Sequence, residues 1–151
     1  MKFTILAIAL TLISTNAFAP DVLKFLEVED NGGEVQIDVC PGTYPFSITY
    51  KEVQPNVMEK GATMQLLLVG SNSERLIEKE LSIETQLNGK VIDTHPVSMK
   101  DNVIEPGQEN SVTYEQDIPG VIPSGNYKIT IKELSDKGSV NWCIFVTFSL
   151  K

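Results

Sequence analysis

Few side chains in this sequence could carry out covalent or metal chemistry. There is one histidine, His95, and there are two cysteines, Cys40 and Cys143. Metal sites built on several histidines are therefore excluded, and two cysteines are too few for an ordinary structural zinc site. A Ser-His-Asp triad would have to use His95, which precedes Pro96, and the chain has no nucleophile-elbow motif. We expect neither a metal centre nor a hydrolase centre of this kind.

The carboxylate pair Glu78 and Glu80 is the remaining candidate for acid–base chemistry. The two alternate along a stretch that reads as a strand, so we expect them to share a face that points to solvent. No cleft motif accompanies them, and they do not indicate glycosidase chemistry. No glycine-rich phosphate loop or dinucleotide motif occurs either. The sequence therefore predicts a protein that is not an enzyme and needs no cofactor.

The chain is acidic, with 20 Asp and Glu residues against 12 Lys and Arg residues among its 151 residues. Binding to phosphate backbones needs a basic face, so a nucleic-acid partner is not expected. The same balance argues against standing electrostatic attachment to anionic membranes. The length suggests one domain, and 42% hydrophobic residues suffice for a core.

Residues Met1 to Ala19 have the organisation of a secretory signal peptide. Lys2 supplies the positive charge, and Phe3 to Ile13 form an apolar run that is short for a bilayer span. Cleavage after Ala19 competes with cleavage after Ala17, because a proline directly after the cut is unfavourable for the peptidase. No later stretch approaches a spanning length, so we expect a soluble protein that is secreted or luminal.

The expected secretion bears on whether the two cysteines are oxidised or free. An oxidising compartment favours a disulfide between Cys40 and Cys143, and two free buried thiols are the alternative. The closed loop would contain about 100 residues and would be worth roughly 4–5 kcal/mol in the chain-entropy model.

The body of the chain reads as β-strands joined by short turns. Apolar and polar residues alternate along most segments, which places each set on one face of a strand. A nearly continuous apolar run is instead typical of a central strand or one covered on both faces. The predicted strands are Phe46–Val53, Ala62–Val69 (the continuous apolar run), Leu81–Leu87, Lys90–Thr94, Glu109–Gln116, Tyr127–Lys132 and a last strand that carries Cys143.

Local signals set the connections between these strands. Asn88-Gly89 is the strongest hairpin signal and suits a type I′ turn. His95-Pro96 is expected to end the following strand or to place it at a sheet edge, and Val97 to Gly107 is expected to be a long loop. About seven strands with short turns indicate an all-β sandwich.

The stretch from Asp117 to Cys143 contains Ile-Pro-x-Gly-x-Tyr over residues 122–127, an alternating strand, the Asp136-Lys137-Gly138 turn, and a cysteine before the last strand. In this order these features resemble the end of the MD-2-related lipid-recognition family, which includes Niemann-Pick type C2 sterol carriers and phosphatidylglycerol/phosphatidylinositol transfer proteins. Cys40 and Cys143 also stand where the family's first and last cysteines pair. The resemblance covers about Ile37 to Leu150.

This resemblance implies an immunoglobulin-like β-sandwich of two antiparallel sheets that stand apart around an apolar cavity. The alternative for each implied lining residue is an ordinary core position. The implied cavity lining is Leu66, Leu68, Leu81, Ile83, Tyr127, Ile129, Ile131, Ile144, Val146 and Phe148, and the implied mouth is Val121, Ile122 and Pro123. Family members commonly carry a further disulfide near the entrance, but Ile92 to Lys100 contains no cysteine.

The resemblance thus predicts a lipid-binding or lipid-transfer protein that holds a sterol or phospholipid. It would be a monomer, secreted or in the endosomal or lysosomal lumen, with transient membrane contact. Residues 1–19 would be the signal peptide, 20–36 an N-terminal segment that some fungal relatives process as a leader, and 37–151 the lipid-recognition domain. The alternatives are an immunoglobulin-like protein-interaction module and an accessory protein that presents a lipid without transferring it.

Overall fold

The computed structural model describes residues 33–151, so the predicted signal peptide and most of the predicted 20–36 segment lie outside the described residues. Every regular element between residues 33 and 151 is a β-strand. The strands are β1 (Gly33–Glu34), β2 (Gln36–Val39), β3 (Phe46–Gln54), β4 (Val57–Met58), β5 (Thr63–Asn72), β6 (Leu76–Leu87), β7 (Lys90–Ile104), β8 (Glu109–Asp117), β9 (Gly125–Leu134) and β10 (Val140–Leu150).

The strands form two main antiparallel sheets and one short pair. The larger sheet has the order β2-β10-β9-β6-β7, the smaller has the order β3-β5-β8, and β1 pairs with β4. The predicted all-β sandwich of two antiparallel sheets is confirmed. The continuous apolar run lies in β5, which is the central strand of the smaller sheet, as predicted.

The inward faces of the two sheets share one apolar core. On β9, the alternation of Tyr127, Ile129 and Ile131 with polar residues buries this apolar set, as period two requires. On β5, Met64, Leu66 and Leu68 are buried from the opposite sheet. Each such side chain contributes roughly 1.5–3 kcal/mol when it is fully removed from water.

The turn between β6 and β7 has the predicted geometry. Asn88 has φ 49° and Gly89 has φ 80°, and two positive φ values in succession are what a type I′ turn requires. The prediction for the segment after this turn was wrong, because β7 continues through His95 and Pro96 to Ile104. Pro96 is tolerated because β7 is an edge strand, as the alternative prediction stated.

The expectation that both Glu78 and Glu80 face solvent was also wrong. The register of β6 against β7 shifts between these two residues, and such a bulge turns Glu78 inward. Glu78 is only 4% exposed, and its Oε2 accepts a hydrogen bond of 2.8 Å from Asn102 Nδ2. Glu80 is half-buried.

A second carboxyl group, that of Glu133 on β9, is fully buried near Glu78. Its Oε1 accepts a hydrogen bond of 3.0 Å from Asn141 Nδ2, and Asn141 lies at a register shift in β10. Burial raises the pKa of Glu133 from its ordinary value of 4.5 to about 7. The bond from Asn141 opposes this rise in pKa, and the neighbouring Glu78 adds to it. One end of the core thus contains a carboxyl group that is partly protonated near neutrality.

The disulfide between Cys40 and Cys143 is present, as predicted. It joins the residue that follows β2 to β10, and the Cys40 backbone N–H donates a hydrogen bond of 3.0 Å to the Cys143 carbonyl. The bridge and the strand pairing therefore fix the same edge of the larger sheet.

We predict that replacing both cysteines by alanine lowers the free energy of unfolding by about 4–5 kcal/mol, because the bridge spans 103 residues of chain. Denaturant titration measures this change. Thiol labelling of the denatured, unreduced wild-type protein should find no free thiol, whereas two labelled thiols per chain would contradict the bridge.

We predict that Glu133 makes stability depend on pH. Below about pH 4.5 the carboxyl is protonated in both states, and between 4.5 and 7 the unfolded chain loses its proton first. The free energy of unfolding should therefore fall over this range, by about 3 kcal/mol at most, and should level off above it. Denaturant titrations at several pH values measure the slope. The Glu133→Gln variant should lack the part of this pH dependence that comes from Glu133. An unchanged slope in that variant would show that Glu133 does not cause it.

Candidate functional site

The two main sheets leave one side of the sandwich open. The five-stranded sheet ends in β7 and the three-stranded sheet ends in β8, and a cavity of about 190 Å³ is lined from both of these strands. β6, β9 and β10 contribute its floor, and the connection from β8 to β9 contributes its rim. The cavity therefore combines main-sheet residues with loop residues at one end of the core.

The cavity wall is predominantly apolar. Its apolar members are Ile92, Ile118, Pro119, Ile122, Pro123, Tyr127, Ile129 and Phe148, and its polar members are Thr85, Asp93, Gln116 and Asp117. Apolar lining with a few placed polar groups is typical of sites that bind small apolar ligands.

A pair of stacked aromatic rings forms part of the floor. The rings of Tyr127 and Phe148 are 5.5 Å apart between centroids, with an angle of 9° between their planes. The two residues are paired across β9 and β10. Beside them, Ile129 is only 2% exposed but still lines the cavity. This part of the floor is thus an apolar surface on the adjacent strands β9 and β10.

Residues 118–124, which we call the mouth loop, are tied to the sandwich at both ends. The Ile118 N–H donates to the Ala62 carbonyl at 2.8 Å, and the Ile118 carbonyl accepts from the Gly61 N–H at 2.9 Å. At the other end, the Tyr127 hydroxyl donates to the Pro123 carbonyl at 2.6 Å. Burial raises the pKa of Tyr127 above its ordinary value.

The backbone conformation explains why the Ile-Pro-x-Gly-x-Tyr motif has a glycine at position 125. Gly125 has φ +149°, and a Cβ at this position would lie 2.6 Å from Leu87 Cδ1. Residues with a side chain rarely adopt this φ value, so glycine is favoured where the mouth loop meets β9 beside the β6–β7 turn. The motif thus combines a bonded carbonyl at Pro123, a glycine at the close approach, and a tyrosine that reaches back across the loop.

The ten predicted lining residues are all buried, each at most 5% exposed. Tyr127, Ile129 and Phe148 line the cavity, and the other seven lie in the core. Of the predicted mouth residues, Ile122 and Pro123 line the cavity, while Val121 is 97% exposed. The lipid role of these residues stays a prediction, because each of them also serves as ordinary core or loop.

Sequence reasoning did not assign the residues of β7 and β8 to the cavity lining. Ile92 and Asp93 were placed only in a segment near the entrance expected from the family, and Gln116 and Asp117 end β8. Ile118 and Pro119 were not predicted as lining residues. A signal was available, because Ile118 is an apolar residue that continues the alternation of Val112 and Tyr114.

The cavity is small in this structure. Its 190 Å³ falls below the roughly 300–1,000 Å³ typical of ligand pockets and equals the share of about six water molecules in the liquid. A whole lipid would need the two open edges to move apart. Elsewhere the facing side chains of the described core meet in one buried cluster.

Within residues 33–151, no group of three or more His, Cys, Asp and Glu side chains could hold a metal ion. Within the same range, no helix has the length and apolar character needed to cross a membrane. His95 Nδ1 lies 2.6 Å from Asp93 Oδ2, at the edge of the cavity.

Three solved structures resemble this chain in fold at low sequence identity. A Niemann-Pick type C2 protein from the Japanese carpenter ant is 10% identical with a TM-score of 0.60, and the match covers 77% of this chain and 99% of that one. Chicken MD-1, solved in complex with lipid IVa, is 14% identical with a TM-score of 0.60, covering 81% and 92%. The C-terminal domain of wzt is 9% identical with a TM-score of 0.54, covering 78% and 77%.

No protein-family model and no curated protein matches the sequence. The likeness to the Niemann-Pick type C2 protein and MD-1 supports the predicted lipid-recognition fold. The similarity to the wzt domain shows that this sandwich fold is not confined to Niemann-Pick type C2 proteins and MD-1. Any function must therefore be argued from the site.

We predict that Ile129→Trp abolishes most lipid binding while leaving the free energy of unfolding within about 1 kcal/mol of wild type, since the indole can enter the neighbouring cavity. Displacement of a bound fluorescent lipid measures the first quantity, and thermal unfolding measures the second.

Ile131→Trp is the matched control for this prediction. Ile131 lies two positions further along the same face of β9, is 0% exposed, and does not line the cavity. The added volume has nowhere to go, so stability should fall by roughly 1–3 kcal/mol. Equal destabilisation by both variants would mean that Ile129 lies in solid core, and the cavity assignment would be wrong.

Proposed function

We propose that this protein binds a lipid, a sterol or a phospholipid, and carries its apolar part between the two sheets. The observation that carries the proposal is the apolar cavity between the open edges of β7 and β8, with Ile129 and the Tyr127–Phe148 stack as its floor. The fold shared with chicken MD-1, which was solved with lipid IVa, adds support.

Desolvation of the apolar part supplies the binding free energy. Each buried CH₂ is worth about 0.8 kcal/mol, so ten methylenes give about 8 kcal/mol, which corresponds to a micromolar dissociation constant before ordering costs. No catalytic group takes part in this mechanism, and we propose that the protein is not an enzyme. The polar residues at the cavity orient the polar end of the ligand.

Entry of a lipid requires the cavity to widen, and the open side of the sandwich is where widening disturbs fewest contacts. β7 is hydrogen-bonded only to β6, and β8 only to β5, within their sheets. The mouth loop is held by the few hydrogen bonds of Ile118 and Pro123 and by a bond of 3.0 Å from Lys60 Nζ to Ser124 Oγ. Moving β7 and the mouth loop apart leaves the central pairing of β6, β9 and β10 intact.

Exposed apolar side chains beside the cavity favour transient contact with a membrane during loading. Val121 is 97% exposed in the mouth loop, and Ile92 is 54% exposed on β7 while it also lines the cavity. We propose a monomer that works in a secreted or endosomal or lysosomal compartment. The Cys40–Cys143 bridge supports an oxidising location.

A second candidate function is an immunoglobulin-like interaction module. The observation that favours it is β7, an edge strand of 15 residues with exposed Val91, Val97 and Val103. An exposed edge of this kind can accept a partner strand. A lipid-presenting accessory protein would combine this edge with an occupied cavity.

We predict that organic extraction of the purified protein yields a lipid at near-stoichiometric amount, because desolvation holds the apolar part against dilution into water. Mass spectrometry identifies and quantifies it. A vesicle-to-vesicle transfer assay then separates a carrier from a protein that only presents lipid. The Ile129→Trp variant should yield an empty extract, and an empty extract from the wild-type protein would favour the interaction module instead.

A further inference from the structure

We propose that the end of the sandwich remote from the cavity is a pH-operated latch, which is closed while the Glu133 carboxyl is protonated and opens locally when that carboxyl is ionised. Glu133 lies near the end of β9, whereas Tyr127 and Ile129, nearer the start of this strand, line the cavity. Opening means that water reaches Glu133 while the rest of the core stays folded. This device is distinct from the pH dependence of global unfolding and does not depend on lipid binding.

Two buried carboxyl groups from the neighbouring strands β6 and β9 form the centre of the latch. Glu78 is 4% exposed and Glu133 is 0% exposed. Asn102 Nδ2 donates a hydrogen bond of 2.8 Å to Glu78 Oε2, and Asn141 Nδ2 donates one of 3.0 Å to Glu133 Oε1. Both amides thus present N–H groups to the carboxyls, and such groups repel a metal cation. A proton is therefore the species that can neutralise Glu133.

The second carboxyl oxygen of Glu133 has no support for a negative charge. Glu133 Oε2 is buried, and among residues 33–151 it has no hydrogen-bond partner. A buried oxygen without a partner costs more free energy when it is charged than when it is neutral. Burial raises the pKa of Glu133 to about 7, Asn141 opposes this rise, Glu78 adds to it, and Trp142 opposes it most weakly.

No cation compensates for this lack. Among residues 33–151, Glu78 is the one charged group whose charge shifts the pKa of Glu133. Other charged side chains on the adjacent strands and connections are exposed to solvent, namely Glu74, Arg75, Lys79, Asp101, Glu105, Asp136 and Lys137. The cations at positions 75 and 79 form surface ion pairs of 3.4 and 3.7 Å. Ionisation of Glu133 beside the Glu78 carboxylate would therefore place uncompensated like charges in the core.

The strand pairing is interrupted on both sides of this carboxyl pair. The register of β6 against β7 shifts between Glu78 and Glu80, and the register of β10 against β9 shifts between Val140 and Trp142. A register shift of this kind disrupts the ladder of backbone hydrogen bonds locally. This end of the larger sheet is therefore held in part by side-chain bonds to the two carboxyls, and a change at Glu133 acts where the backbone ladder is weakest.

A surface cavity of about 190 Å³ gives water a short path to Glu133. The start of β6 and the β9–β10 turn form most of its wall, and Asn141 is one of its lining residues. Asn141 is 1% exposed, and its Nδ2 also donates to the Ile77 carbonyl at 3.3 Å. The Asn141 side chain thus lies between this surface cavity and Glu133. Displacing that one side chain would hydrate the carboxylate without separating the two sheets.

The single tryptophan reports on this end of the core. Trp142 is 0% exposed and lies opposite Glu133 in the β9–β10 register. Acrylamide quenching of its fluorescence therefore measures whether solvent enters beside Glu133. Between about pH 5 and about pH 8.5, we expect the quenching constant to rise at least about twofold, with a midpoint near pH 7. Below this midpoint Glu133 is protonated and the latch is closed, and above it the latch is open.

Hydrogen exchange shows whether the opening is local. After correction for the intrinsic pH dependence of exchange, amides of residues 77–79 and 140–143 should lose protection as the pH rises through 7. Amides of residues 127–131, nearer the other end of β9, should keep their protection.

Three charge-removing variants test the cause of the transition. Glu133→Gln should keep Trp142 shielded over the whole pH range, because the amide does not ionise. Glu78→Gln should keep the transition but move its midpoint to lower pH, because the neighbouring negative charge is gone. Glu80→Gln is the matched control, since Glu80 is a half-buried residue of the same strand that lies beyond the register shift. It should keep the wild-type midpoint, and thermal unfolding verifies that each variant folds.

Four outcomes would overturn the inference. Constant quenching of the wild-type protein would show that this end stays closed, and a transition that persists in Glu133→Gln would assign it to another group. Loss of protection throughout the core would show global unfolding in place of a local opening. If Glu133→Gln does not fold, Glu78→Gln decides the matter, because an unchanged midpoint in that variant would also contradict the latch.

Discussion

Burial of one shared apolar interior by two sheets of unequal width governs this structure. Five strands face three, so the inward side chains of the larger sheet cannot all be covered. The central strands β6, β9 and β10 are covered and form the solid core, while β7 extends past the smaller sheet with most of its residues exposed. The cavity lies where this coverage ends. Its position therefore follows from the unequal number of strands, and the mouth loop supplies its rim.

The disulfide and the mouth loop act on opposite sides of this arrangement. The Cys40–Cys143 bridge fixes β2 against β10, at the edge of the larger sheet that is remote from β7 in strand order. The mouth loop meets the other side through hydrogen bonds at Ile118 and Pro123. The bridge lies within the larger sheet and does not join the two sheets, whereas the mouth loop is held by a small number of hydrogen bonds whose net worth is about 1 kcal/mol each. The mouth loop is therefore the more weakly held segment.

The sequence predicted the architecture well because period two and turn chemistry are local signals. Asn88-Gly89 specifies its own turn, and the alternation along β9 specifies that the face carrying Ile129 is buried. A bulge depends on how two strands pair, so the inward position of Glu78 was missed. The extension of β7 beyond Pro96 was also missed, because it depends on pairing with β6. Met58 lies between the predicted strands Phe46–Val53 and Ala62–Val69, and the structure buries it fully and pairs it with Gly33 of β1. The cavity depends on which strands lie opposite each other, and no residue pattern within a strand carries that information.

The central claim is that an apolar ligand enters between the open edges and reaches the floor of the cavity. Methyl-detected NMR with a nitroxide-labelled fatty alcohol, labelled near the end of its chain, tests this claim directly. The account predicts that the methyl signals of Ile118, Ile122 and Ile129 broaden strongly, while Ile77 near the opposite end of β6 stays sharp. Broadening confined to the exposed Val91, Val97 and Val103 of β7, with an unchanged Ile129 signal, would contradict it.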